Sequence, residues 1–258
     1  MKAVILAGGK GRRMCAESTN MPKPLVAIGG IPIICHIIHY FQVYGIDEIV
    51  IAVGYQSKQV VAALQEYLEP IAKTVQIVKS AQSISLCSQN ASLCVQLVDT
   101  GPDTRTGGRL RRIRPFLDEQ PFFLAWCDGL SDLQLDRMMD FHKSHGRLAT
   151  VAAVHPKSRF GIMELTGAEV TGFQEKPRMT DRWVNSGYAI LEPEALNYIH
   201  SDDEQWEAEP INRLITDHQL MAWQHEGEWQ CMDTVGDWEY LKKLWNSGSA
   251  FWIPELQS

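Results

Sequence analysis

Apolar residues in this 258-residue chain fall into short unbroken runs that alternate with stretches of helical spacing. Ala3 to Leu6 and Ile49 to Val53 are two such runs, and each predicts a strand buried on both faces. Between them a helix is expected from Pro32, with Ile34, Ile37, Ile38 and Phe41 on one face and Gly45 as its stop. Ser57 then caps a predicted helix carrying Val60, Val61, Leu64 and Leu68, and Val75 to Val78 reads as a third strand. The alternation predicts right-handed βαβ units and an α/β fold: a Rossmann-like, mostly parallel or mixed sheet flanked by helices.

Regularity lapses from Ser80 to Cys94, which reads as a functional loop or a mobile arm. Val95 to Val98 resumes as a strand, and a helix opens near Thr106. Phe122 to Trp126 is a further buried strand. Asp132 is expected to cap the next helix, with Leu135, Met138, Met139 and His142 on one face and Gly146 as its stop, before a strand at Leu148 to Val154.

Past Pro156 the pattern becomes more antiparallel, with strands predicted at Phe160 to Leu165, Val170 to Gln174 and Trp183 to Leu191. Short helices follow at Pro193 to Ile199 and Glu209 to Asp217. Leu220 to His225 and Trp229 to Met232 read as a strand pair around Gly227. Thr234 and Asp237 form a capping-box pattern ahead of a last helix with Trp238, Leu241 and Trp245. The expected organisation is one domain over 1–258, with a first half over 1–155 and a smaller mixed α+β half over 156–258.

Composition narrows the function. No apolar run is long enough to span a bilayer, and Met1 leads straight into a strand, so neither membrane span nor signal peptide is expected and the location is read as cytoplasmic. Cys15, Cys35, Cys87, Cys94, Cys127 and Cys231 form no Cys-x-x-Cys pair and are read as reduced thiols. A net charge of -7 argues against a nucleic-acid partner. The cations cluster instead at Arg12/Arg13 and between Arg109 and Arg114, which suits a small anion. His36, His39, His142 and His145 are read as packing or surface residues, and Trp206 and Trp229 as packing residues.

The sharpest chemical signal follows the first strand. Leu6-Ala7-Gly8-Gly9 runs into Lys10, Gly11, Arg12 and Arg13. Glycines let backbone N–H groups close on anionic oxygens, and arginine forks pair with phosphate. A P-loop lacks its Gly-Lys-Ser/Thr, and a dinucleotide fingerprint lacks its third glycine, because Met14 stands there. The dinucleotide reading also lacks an acid after the second strand, where Ala52-Val53-Gly54-Tyr55 occurs. What remains is Gly-Gly-x-Gly-x-Arg followed by Pro22-Lys23-Pro24. Thr106-Gly107-Gly108-Arg109 opens a helix that either aims N–H groups at an anion or is merely a solvated basic helix. Asp128, after an apolar strand, falls where open α/β sheets bind ligands.

The segments AGGKGRR, MPKPL, IGGIPI, DTGPDTRTGGRL, WCDGLSD, FQEKP, NSGYAILEP, WEAEP and WQCMDT, in this order over nearly the whole chain, resemble the bacterial glucose-1-phosphate cytidylyltransferases of the sugar nucleotidyltransferase family. The resemblance implies CTP and α-D-glucose 1-phosphate as substrates, Mg²⁺ as cofactor, and CDP-glucose and pyrophosphate as products. It also implies a homo-oligomer serving surface-polysaccharide biosynthesis. Carried over residue by residue, it makes Asp128 and Asp233 the metal ligands. Arg13, with the Leu6 to Gly11 backbone (Leu6, Ala7, Gly8, Gly9, Gly11) and Arg12, would hold the triphosphate, and Lys23 would stabilise charge at the α-phosphorus. Thr106, Gly108 and Arg109 would contact the nucleotide. Lys176 would hold the sugar phosphate, with Glu175, Asn185 and Gly187 at the sugar. Arg12, Met14, Ser186 and Cys231 stand where the family usually has Thr, Leu, Gly and Pro. Those departures keep open a different triphosphate or sugar 1-phosphate, or a nucleotide-sugar-binding subunit without turnover.

Overall fold

A computed structural model describes residues 1–9, 21–68, 75–79, 83–88 and 93–253, with the segments 75–79 and 83–88 described by backbone alone. The first elements are β1 (Lys2–Ala7), a 3-10 turn (Lys23–Leu25), β2 (Ala27–Ile28), β3 (Ile31–Pro32), α1 (Ile33–Val43), β4 (Glu48–Val53) and α2 (Ser57–Leu68). Then come β5 (Val75–Lys79), β6 (Ser83–Ser88), β7 (Cys94–Asp99), α3 (Thr106–Ile113), β8 (Phe122–Trp126), β9 (Gly129–Ser131), α4 (Leu135–His145) and β10 (Ala149–Val154). The remainder is β11 (Ile162–Thr166), β12 (Glu169–Gln174), β13 (Val184–Leu191), a 3-10 segment (Pro193–Tyr198), α5 (Glu209–Thr216), β14 (Leu220–His225), β15 (Trp229–Cys231) and α6 (Val235–Asn246).

Nine strands form one sheet in the order β14-β10-β13-β8-β1-β4-β7-β6-β5. β8, β1, β4 and β7 are parallel neighbours, and only β13 and β6 run against the rest. β1 lies at the centre, and its side chains alternate between two apolar layers. Ala3, Ile5 and Ala7 face the layer built with α1, α2, α4 and α6, whereas Val4 and Leu6 face the layer built with α3 and α5. Burial on both faces is why β1 reads as an unbroken apolar run. Each fully buried aliphatic side chain there contributes about 1.5–3 kcal/mol.

Four expectations are corrected. Val75 to Val78 is not a parallel strand: β5 pairs antiparallel with β6, and the place beside β4 belongs to β7. The stretch Ser80 to Cys94 is not wholly a loop, because its Ser83–Ser88 portion is β6, antiparallel to β7. Its Ser-Ile-Ser-Leu-Cys-Ser sequence carries the period of two expected of a strand. β14 and β15 do not pair with each other; β14 adds in parallel to β10, and β15 pairs with β9. Cys94 is disulfide-bonded, with Cys87 opposite it in register, while Cys35, Cys127 and Cys231 are free.

Two caps also differ. Asp132 lies ahead of α4 but does not cap it: its Oδ1 accepts from the Glu228 backbone N–H at 2.7 Å and meets His225 Nε2 at 2.7 Å. Ser57 is the first residue of α2, and its hydroxyl donates to Asp99 at 3.0 Å. By contrast, the Thr234/Asp237 capping box is formed, and Gly45 and Gly146 end their helices with left-handed φ of 71° and 62°. Among the described residues no helix is long and apolar enough to cross a membrane.

Candidate active site

β1 ends between β4 and β8, and all three open at the same edge of the sheet. The Cys127 N–H donates to the Leu6 carbonyl at 3.3 Å, which seats the Cys127-Asp128 turn beside Leu6-Ala7-Gly8. The Met232 N–H donates to the Asp128 carbonyl at 2.8 Å, which carries Asp233 to the same place from the far end of the chain. Lys23 arrives on the 3-10 turn, whose φ is restrained by Pro22 and Pro24. Its ammonium donates to Asp128 Oδ2 at 2.5 Å and to Asp233 Oδ1 at 2.7 Å. Arg159 Nη2 stands 4.0 Å from the other Asp233 oxygen.

Burial opposes the charge on Lys23, but Asp128 and Asp233 outweigh it and hold the ammonium above the usual lysine range. Neighbouring thiols answer to the same surroundings. Burial first, then the Asp128 carboxylate, pushes Cys127 up to about 12. Burial and then Asp233 do the same to Cys231.

Arg109, on α3, is buried. Its Nη1 donates to Val53 O (3.2 Å), Thr100 Oγ1 (2.6 Å) and Gly101 O (2.9 Å), and its Nη2 to Gly8 O (2.8 Å). One guanidinium therefore ties together the turns after β1, β4 and β7. A Cβ at Gly8 or Gly54 would collide with it, which explains both glycines without a ligand. Gly107 and Gly108 face the backbone of residues 202–204 in the same tight way. Thr106 donates to Glu207 at 2.6 Å and accepts from the Trp206 N–H at 2.9 Å. The Thr-Gly-Gly-Arg start of α3 thus fastens the loop around Asp202 to Trp206, and Trp206 itself is wholly buried.

These elements enclose a cleft of about 680 Å³. Leu6, Gly8, Gly9, Lys23, Thr106, Arg109 and Asp128 lie on its wall. Ala7, expected among the phosphate-loop residues, faces the core, and Gly108 is spent on the packing just described. Gly11, Arg12 and Arg13 fall outside the described residues. Asp203 and Gln205 also line the cleft; their exposed polar loop carries no periodic or motif signal in the sequence, and it is brought there by Thr106, by the Arg105 and Gly107 N–H groups and by the Arg112 fork on Asp202.

The residues expected at the sugar are not on that wall. Gly187, at φ 87°, lies against the Trp126 ring, so the close approach it permits is to Trp126, itself a cleft residue. Asn185 Oδ1 accepts from the Gly187 N–H at 3.0 Å. Glu175 and Lys176 follow β12 on an exposed hairpin and face each other at 3.7 Å. Lys176 holds a φ of 46°, a left-handed backbone that non-glycine residues adopt at a cost of about 1–3 kcal/mol and that clusters at functional positions.

Asp128 and Asp233 fit a hard divalent cation. Two carboxylates converge on one positive charge, the Lys23 ammonium, which stands in for it. No third His, Cys, Asp or Glu joins them among the described residues, so an ion held there would complete its shell from water and ligand oxygens, as Mg²⁺ does.

Residues 2–246 match the family model described as nucleotidyl transferase. The chain is 38% identical over 254 residues to a glucose-1-phosphate cytidylyltransferase of Salmonella typhimurium, covering 98% of each chain. It is 32% identical to a probable glucose-1-phosphate cytidylyltransferase of Bacillus subtilis, covering 98% of this chain and 99% of that one. Among solved structures, a putative glucose-1-phosphate thymidylyltransferase from Bacillus anthracis superposes with a TM-score of 0.71 over 97% of this chain and 95% of that one, at 16% identity, a likeness of fold. The chain belongs to the nucleotidyl transferase family and stands with the glucose-1-phosphate cytidylyltransferases within it.

Proposed function

We propose that this nucleotidyltransferase moves a cytidylyl group from CTP to a sugar 1-phosphate, α-D-glucose 1-phosphate, releasing pyrophosphate. The observation that carries this reading is the meeting of Asp128 and Asp233 on one cation beside the glycine turn. The nucleotide and sugar assignment rests on the cytidylyltransferases the chain is similar to.

A sugar phosphate oxygen attacks the α-phosphorus as the bond to the β-phosphate oxygen breaks. The attacking monoester has a second pKa of about 6, so it is already largely dianionic and needs no general base. The obstacle is repulsion between two polyanions, which neutralisation and in-line positioning remove. Asp128 and Asp233 would hold Mg²⁺, which when bound supplies charge neutralisation across the phosphates. Lys23 stabilises charge at the α-phosphate, and Arg13 with the backbone of the glycine turn holds the leaving phosphates. Lys176 takes the sugar phosphate, and Glu175 and Asn185 take sugar hydroxyls. Arg109 acts through its neighbours, as a positioning residue for the Gly8 turn.

A matrix of nucleoside triphosphates against sugar 1-phosphates, read by pyrophosphate release and product mass, tests the proposal. CTP with glucose 1-phosphate is expected to give CDP-glucose, and chelation of divalent ions to stop it. Release with another triphosphate but none with CTP would reject the cytidylyl assignment.

A further inference from the structure

The Lys23 ammonium occupies the point the two acids share. It lies 2.5 Å from Asp128 and 2.7 Å from Asp233, and all three side chains are largely buried, at 12%, 23% and 14% exposure. Both contacts are charge-assisted, and little water reaches them to screen the attraction. A divalent ion that arrives alone must therefore displace an ammonium from both of the acids it bridges. Arg159, 4.0 Å from Asp233, adds a second positive charge against such an ion. An ion that arrives with a triphosphate meets a different balance, because the phosphate offers the freed ammonium a new anionic partner in the same cleft, which Lys23 lines.

We infer that Lys23 is an internal placeholder for the divalent cation: it bridges Asp128 and Asp233 and yields them when a nucleoside triphosphate offers its ammonium another anion. Ion and nucleotide then bind as a coupled pair, and each raises the affinity for the other by the same factor. The role rests on the metal-dependent reading above and goes beyond it. Lys23 becomes a device that keeps the acids paired and their ion site closed to free cations, in addition to its contact with phosphate.

Mn²⁺ binding to the full chain, followed by electron paramagnetic resonance of the free ion, tests this with no turnover involved. Wild type, K23M, K23Q and the double variant K23M/D128N are titrated with and without a CTP analogue carrying a methylene between the α and β phosphorus atoms. Without nucleotide, K23M and K23Q are expected to bind Mn²⁺ at least about tenfold more tightly than wild type. In the double variant that gain is lost. The analogue should tighten Mn²⁺ binding far more in wild type than in K23M. Folded Lys23 variants that bind Mn²⁺ no better than wild type overturn the placeholder role while leaving the ion site standing, as does wild-type binding that is indifferent to the analogue. Tight binding that survives in K23M/D128N puts the ion elsewhere and also overturns it. Absence of Mn²⁺ from every protein, with or without analogue, overturns the ion site itself and the placeholder with it.

Discussion

The floor of the cleft and the β11–β12 hairpin are built on opposite plans. On the floor, Arg109 is buried and each Nη nitrogen has an acceptor, Lys23 sits between two acids, and Gly8 and Gly54 are fixed by the guanidinium packed on them. Among the described residues the hairpin's two strands pair only with each other, and Met163, Leu165, Val170 and Phe173 on it are each more than half exposed. A two-stranded unit with no packed face is marginally stable by itself. Glu175 and Lys176 hang from its end. The contrast teaches that the cleft floor is preorganised by buried contacts between distant side chains, whereas the exposed hairpin is tied down only at its base, where Ser158 N–H donates to Pro177 O at 2.8 Å, Met179 N–H to Pro156 O at 2.9 Å and Arg178 Nη2 to Gly227 O at 2.9 Å.

Asp128→Asn gives the largest break. It removes one of the two acids that meet Lys23, and kcat should fall by at least about 10²-fold, with a thermal midpoint near that of wild type. A variant retaining most of its turnover would detach the floor from the chemistry. Next is Arg109→Met, which leaves the Gly8, Val53 and Gly101 carbonyls without their shared donor. About 2–4 kcal/mol of stability should disappear in denaturant titration. Arg109→Lys should recover only part of it, because one ammonium cannot span three turns.

Lys176→Met works on the other region. It should raise KM for the sugar phosphate by about tenfold, leave KM for CTP alone, and barely change stability, since the side chain is exposed. Equal effects on both KM values would erase the division between floor and hairpin.

A smaller effect concerns the loop that Thr106 fastens to the cleft wall. Glu204 is bonded by Arg213 at 2.9 Å from both its oxygens, and that partner pulls its pKa down to about 2 despite some burial. The folded value lies below the unfolded one, so the contribution is present above about pH 4.5 and is lost as pH falls toward 2. Glu204→Gln should flatten that acid limb by less than about 1 kcal/mol, since the pair is partly exposed. Smallest of all, Phe173→Ser on the hairpin should shift stability by no more than about 0.5 kcal/mol. A loss several times larger would mean that the hairpin is covered.

Much of this was legible along the chain. Unbroken apolar runs marked β1, β4 and β8, because a strand buried on both faces tolerates no polar position. Capping chemistry marked the start of α6, because a Thr and an Asp three residues apart satisfy each other's backbone within one turn. The motif residues Lys23, Asp128 and Asp233 were also readable, as types and in order. Strand partners were not. β14 and β15 look like a hairpin because a short glycine-containing link joins them, yet each had a stronger partner elsewhere in β10 and β9. Nor could the sequence say that Arg109 would spend its guanidinium on Val53, Thr100, Gly101 and Gly8, or that the Thr106 glycines serve a loop near residue 202.

The sequence by itself determined most of the strands and helices, β6 being an exception, and which residues carried charge, since those depend on neighbours a few positions away. The tertiary structure alone decided that Lys23, Asp128 and Asp233 share one point, because they are 105 and 210 positions apart from Lys23 and meet only through the parallel order of the sheet and the tie from Met232 to Asp128. Local propensity fixes an element, whereas the meeting of distant charges is fixed by which strands lie side by side.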